Sequence, residues 1–159
     1  NKKKCICSER QIKNYTSGVS GPLADRIDMY IEISPVSYEE LVDEGNYRPG
    51  CMSSRQLRES VEAAGVIQTE RYKNEKISYN SQLTPPLIKK YCPLGNESKN
   101  MLKAAFEAYS FTARTSQKII KLARTIADLS GEVRISPAHL AEAIGYNRSF
   151  VIDNSRGEI

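Results

Sequence analysis

One alternating run, Ile27, Met29, Ile31 and Ile33, stands alone ahead of a long series of helical patterns. Side chains alternate across a strand, so this spacing predicts a strand over residues 27–33, stopped by Pro35. A single strand can neither pair its own backbone nor cover its own apolar face. The chain is therefore expected to be mainly α, a helical bundle with a short strand and helix left over from a sheet whose other strands lie outside it. The remaining elements must close by packing helix on helix.

Ser8 and Gln11 are spaced as a capping box and open a first helix, with Ile12, Tyr15 and Val19 on one face. Gly18, Ser20, Gly21 and Pro22 end it. Ser37 and Glu40 repeat the box ahead of Leu41 and Val42, and residues 45–50 form a polar loop. Ser53 or Ser54 caps a long helix reaching about residue 74, with Leu57, Val61, Ala64 and Ile67 or Gln68 as its apolar stripe. Residues 75–83 read as polar and irregular.

The second half is more plainly helical. Thr84-Pro85 is a cap followed by proline at the first helical position, leading into Leu87, Ile88 and Tyr91. Pro93 and Gly95 break that helix, and Asn96 caps the next, with Met101, Leu102, Ala105, Phe106 and Tyr109 inward. Thr112 caps the strongest helix, whose apolar set is Ile119, Leu122, Ala123, Ile126 and Leu129, ended by Gly131. Ser136-Pro137 begins a final helix through Leu140, Ala143 and Ile144, and the tail from Tyr146 is expected to fray. Short connections and one-sided stripes predict a small bundle.

Composition narrows the function classes. The net charge of +4 and pI near 8.8 are compatible with polyphosphate or nucleic-acid partners without naming them. Lys2, Lys3, Lys4, Arg10 and Lys13 cluster at the start, Lys89, Lys90, Lys118 and Lys121 lie on helices, and Tyr15, Tyr30, Tyr72, Tyr79 and Tyr91 could stack on bases. The two sets are not interleaved, so they read as solvated faces and half-buried rings. No apolar run approaches the roughly 20 residues of a membrane span, and no membrane partner is expected. The first residues, Asn-Lys-Lys-Lys-Cys, have no apolar stretch behind them and no initial Met. They read as the start of a piece cut from a longer protein.

Cys5, Cys7, Cys51 and Cys92 fit neither a disulfide framework nor a complete zinc site, and no metal site is assigned. The single histidine, His139, reads as a packing or capping residue. There is no Gly-x4-Gly-Lys-[Ser/Thr] loop and no Gly-x-Gly-x-x-Gly. By itself the chain looks unable to run catalysis.

Two arginines stand at element ends. Arg26 lies between Asp25 and Asp28 just after a Gly-Pro turn, either clamped by those carboxylates or offered outward to an anion. A neighbouring guanidinium would hold both carboxylates ionised, which is wrong for a general acid. Arg114 falls in the first turn of the strongest helix, where a cation opposes the helix dipole by about 0.3–1 kcal/mol. It either joins the free backbone N–H groups in an anion site or reaches away from the dipole. An arginine fork suits phosphate oxygens in either place.

Residues 15–28 (YTSGVSGPLADRID) resemble the arginine-finger segment of the magnesium chelatase-like AAA+ ATPases, the ComM/YifB family. Arg114 with residues 121–129 (KLARTIADL), residues 135–144 (ISPAHLAEAI) and residues 79–83 (YNSQL) resemble that family's later motifs in the same order. The similarity runs from Cys5 to about Tyr146. It implies that Arg26 is an arginine finger acting in trans on nucleotide held by a neighbouring subunit. Arg114 would be the sensor-2 arginine, touching nucleotide in its own subunit. Arg124 is read as structural or inter-subunit. Cys5-x-Cys7-Ser8 matches half of a family cysteine set.

The resemblance further implies ATP and magnesium as cofactors of the full-length protein and a ring, a hexamer in the family, as its assembly. DNA remodelling such as branch migration is the implied work, with metal insertion into a porphyrin as the activity of a cousin. On this basis residues 1–50 are the end of the AAA+ core, 51–146 the helical lid domain and 147–159 a polar tail. Such a fragment, with the phosphate-binding loop upstream, is expected to bind no cofactor and to be inactive alone. Two departures are Ala24 where leucine is usual and Thr16-Ser17-Gly18 where a basic residue is lost. A reading of a different class is a non-enzymatic helical DNA-binding or protein-interaction module.

Overall fold

The computed structural model describes residues 6–16, 26–31, 33, 38 and 51–155. Among them are six α-helices: α1 (Glu9–Thr16), α2 (Ser54–Tyr72), α3 (Pro85–Tyr91), α4 (Asn96–Ala108), α5 (Ala113–Leu129) and α6 (Pro137–Ser155). A single 3-10 turn, Asn80–Gln82, sits between α2 and α3. The mainly α expectation holds.

The helix starts follow local chemistry. Ser8 N–H donates to Gln11 Oε1 at 2.8 Å, and Gln11 N–H returns to Ser8 Oγ at 3.4 Å. Ser53 and Gln56 repeat the same box on α2, at 2.8 and 3.3 Å. Each pairing satisfies amides that the first turn leaves open. Thr112 caps α5 by accepting from Thr115 N–H at 3.1 Å. At α4 the cap is Gly95 rather than Asn96, with no side-chain bond. Gly131 takes φ +70 at the end of α5. There Glu132 N–H reaches Ala127 O at 2.8 Å and Gly131 N–H reaches Asp128 O at 3.1 Å. That pair of bonds is a Schellman close, whose left-handed position suits glycine.

α5 is the central helix. It packs against α2, α3, α6 and the 3-10 turn, with the α5–α6 contact the most extensive. Ile119, Ala123 and Ala127 of α5 and Leu140 and Ala143 of α6 are fully buried. Alanines at that seam let the two backbones approach closely. Tyr72, Leu83, Ile88, Ala105, Phe111 and Ile135 complete one core. A parallel bridge between Leu94 and Ile135 ties the loop before α4 to the loop before α6.

Four expectations need correcting. The strand over residues 27–33 is not present among the described residues. Alternation specifies an apolar face but supplies no partner, and the backbone pairs with helices instead. Tyr30 N–H donates to Tyr146 O at 3.0 Å. The final helix does not fray at Tyr146 but runs to Ser155, since no glycine or proline follows Gly145 within it.

On α2 only the C-terminal half is covered. Ala64, Gln68 and Tyr72 are buried, whereas Leu57 and Val61 are 51% and 62% exposed. Phe106 and Leu129, expected inward, are each nearly half exposed. The second capping box and the helix with Leu41 and Val42 lie outside the described residues, as does the 45–50 loop. No helix among the described residues is long and apolar enough to cross a membrane.

Candidate functional site

Arg114 occupies the first turn of α5, two residues past the Thr112 cap, and is exposed. The arginine thus stands in a turn whose amides lack helical partners, of which the Thr115 N–H is already taken by Thr112. Arg26 is exposed in a turn, and the segment after it lies on α5 and α6. Lys118, one turn beyond Arg114, donates from Nζ to Ile27 O at 2.8 Å and stands 3.6 Å from Asp28 Oδ1. Asn147 Nδ2 donates to Asp28 O at 3.4 Å. The structure therefore seats the segment that follows Arg26 on the helix that carries Arg114. Asp28 faces Lys118, and Asp25 lies outside the described residues.

Lys121, three residues further along α5, donates to Ser81 O at 3.0 Å. The two lysines border a shallow cleft of about 200 Å³ between the 26–31 segment, the 3-10 turn and α5. Both ammonium groups are engaged with backbone carbonyls of this chain, so the cleft wall is braced from inside.

Behind this surface lies a buried polar network that the sequence did not reveal. Asp128 is fully buried and accepts from both terminal guanidinium nitrogens of Arg71, Nη1 at 2.8 Å and Nη2. Arg124 Nε reaches the same carboxylate at 3.1 Å. Asn80 Nδ2 donates to Asp128 at 2.8 Å and to Thr125 Oγ1 at 3.0 Å. Asn80 Oδ1 accepts from Tyr72 OH at 2.6 Å, and its N–H donates to Gln68 at 3.0 Å. Among the described residues no buried side-chain polar atom lacks a partner. Ionised partners make this network strong only because it is complete.

Ionisation follows the packing. The hydrogen bonds it donates to Asp128 hold Arg71 above its ordinary range, against the pull of burial. Burial raises the Tyr72 phenol, and burial pushes the Cys92 thiol up to about 11. At the surface, Lys90 and Tyr91 donate to Glu75 and lower its carboxyl.

Arg124 is structural. Its side chain is almost fully buried and donates to Val133 O at 2.9 Å and Glu132 O at 2.6 Å as well as to Asp128. His139 is a capping residue, as expected. Its Nδ1 accepts from Ser136 N–H at 3.2 Å, and its own N–H donates to Ser136 Oγ at 3.4 Å. Cys7 and Cys51 are exposed and Cys92 is buried, while Cys5 lies outside the described residues. No cluster of three His, Cys, Asp or Glu side chains suited to a metal occurs among the described residues.

The only sequence hint of the network was the i, i+4 spacing of Arg124 and Asp128. Nothing local linked either residue to Arg71 or Asn80, and Lys118 read as an ordinary solvated lysine.

Residues 51–147 match the family described as magnesium chelatase, subunit ChlI C-terminal, and residues 1–41 match magnesium chelatase, subunit ChlI. Competence protein ComM of Haemophilus influenzae is 37% identical over 139 residues, covering 87% of this chain and 26% of the relative. The YifB protein of Salmonella typhimurium is 32% identical over 143 residues, covering 88% and 26%. A Mycobacterium bovis protein, Mb2921c, is 21% identical over 151 residues, covering 91% and 28%. The chain spans about a quarter of the length of the curated relatives it matches. A helical bundle built on α5, matched over residues 51–147 by the C-terminal ChlI model, makes this chain a member of the magnesium chelatase ChlI family and a C-terminal part of such a protein.

Proposed function

We propose that this chain is the lid and arginine-finger part of an AAA+ ATPase that works as a ring, a hexamer, in the bacterial cytoplasm. Arg114 contacts nucleotide held by its own subunit. Arg26 reaches across to nucleotide held by the next. The observation that carries the reading is the placement of Arg114, exposed in the first turn of the central helix of the family-matched bundle.

Two exposed guanidinium groups at element ends suit a polyphosphate, because the planar fork binds phosphate oxygens in pairs. The described residues contain no donor cluster for a metal, so magnesium ligands are not assigned to them. When bound, ATP supplies the phosphoryl group that is transferred. What this chain adds is positive charge, held where negative charge grows in the transition state.

DNA remodelling is the work proposed for the ring, supported by the naming of one relative as a competence protein. The test uses the full-length protein. Arg26→Ala should lower turnover by about 10³-fold or more while ATP binding persists. Arg114→Ala should weaken nucleotide binding or its coupling to hydrolysis. Wild-type turnover in Arg26→Ala would overturn the finger assignment, and unchanged binding and turnover in Arg114→Ala would overturn the sensor assignment.

A further inference from the structure

Lysine ordinarily keeps its ammonium in water and lays only its stem on the protein. Lys118 departs from that habit, with a side chain only 10% exposed although its partner Asp28 is 73% exposed. Its ammonium is spent on the segment that follows Arg26, at Ile27 O and Asp28. Two further bonds fix the same segment, Asn147 Nδ2 to Asp28 O and Tyr30 N–H to Tyr146 O. Residues 27–30 are thus registered on α5 and α6 at three points, starting at the residue after Arg26.

Arg114 and Lys118 are four positions apart, which places them on one face of α5, about 6 Å apart along its axis. Resting on the finger and sensor reading above, we infer that Lys118 is a positioning residue. It latches the arginine offered to the neighbouring subunit onto the helix that meets nucleotide in its own subunit. A shift of α5 that follows nucleotide at Arg114 moves Ile27 with it and therefore the base of the Arg26 turn. The two sites then share one rigid element, which is the physical requirement for coupling.

The test is steady-state ATP turnover of the full-length protein carrying Lys118→Met, beside Lys118→Arg and Arg26→Ala. A misplaced finger removes an interaction made only in the transition state, so kcat should fall about tenfold while KM stays within about twofold. Lys118→Arg, which keeps a charged donor, should recover most of the loss. Amide exchange at Tyr30 should quicken in Lys118→Met while Ala123 stays protected, which separates loss of the latch from loss of the fold. If Lys118→Met does not fold, Lys118→Gln is read in the same way.

A wild-type kcat in Lys118→Met overturns the inference, as does a rise in KM with kcat unchanged or unaltered exchange at Tyr30. Loss of turnover in Arg26→Ala together with wild-type kinetics in Lys118→Met sinks this inference alone. Wild-type turnover in Arg26→Ala sinks the finger reading and the latch's role with it.

Discussion

Arg71 and Asp128, 57 positions apart in sequence, meet as a two-pronged ion pair in which the carboxylate has no exposed surface. The pair joins the C-terminal end of α2 to the C-terminal end of α5 where apolar contact alone would leave the helices free to slide. Breaking one side of such a pair leaves an uncompensated buried charge. Asp128→Ala, which strands both Arg71 and Arg124, should therefore destabilise the fold by about 3–5 kcal/mol, read by denaturant unfolding. A loss below about 1 kcal/mol would mean that water reaches the site and the network is not the tie described here.

Asn80 uses every polar group of its side chain and its backbone N–H within the same network. Asn80→Ala takes from the Tyr72 hydroxyl its acceptor and from Asp128 and Thr125 one donor each. The expected cost is about 1–3 kcal/mol, read in the same unfolding measurement. Because Asn80 and Asp128 share bonds, Asn80→Ala/Asp128→Ala should cost less than the sum of the single variants.

The uncovered half of α2 gives a contrast between two aliphatic truncations. Ile119 is fully buried and Leu57 is half exposed. Ile119→Ala should cost about 2–5 kcal/mol, through lost burial and the cavity left behind. Leu57→Ala should stay within about 0.5 kcal/mol in this chain. Equal losses would show that Leu57 is covered in solution.

The thiols should differ sharply in reactivity. Cys51 is exposed, whereas Cys92 is buried with its pKa pushed up to about 11. At pH 8 an alkylating reagent should modify Cys51 in the native protein and Cys92 only after unfolding. A pKa raised in the folded state means that folding favours the protonated thiol. Its contribution is whole below about pH 9 and is lost as pH rises through about 11, at up to about 1.4 kcal/mol per pH unit in between. Tyr72, raised by burial, acts in the same direction. Cys92→Ala should flatten the decline of stability above pH 9.

Much of the bundle was legible because its signals are local. The Ser8, Ser53 and Thr112 caps, the proline starts at Pro85 and Pro137, and the Gly131 stop each depend on residues within one turn. What failed depends on distant neighbours. The periodicity of Leu57 and Val61 on α2 is helical, but no element in the described residues covers them. The alternation of Ile27 to Ile33 was real without a ladder to join.

The site was legible only in part. Arg26 and Arg114 were visible as charges at element ends. Lys118, the link of Asn80 to Thr125 and the pairing of Arg71 with Asp128 were invisible, because these bonds span from 45 to 91 positions of sequence.

The turn between α5 and α6 is shaped by a guanidinium as well as by the buried Ile135. Arg124 holds Glu132 O and Val133 O from below while Val133 itself is 89% exposed. The Arg124 side chain is almost fully buried, so these bonds lie out of reach of solvent ions and should weaken little with salt. The turn is gripped by its backbone carbonyls, so the exposed Val133 side chain should be replaceable without loosening it.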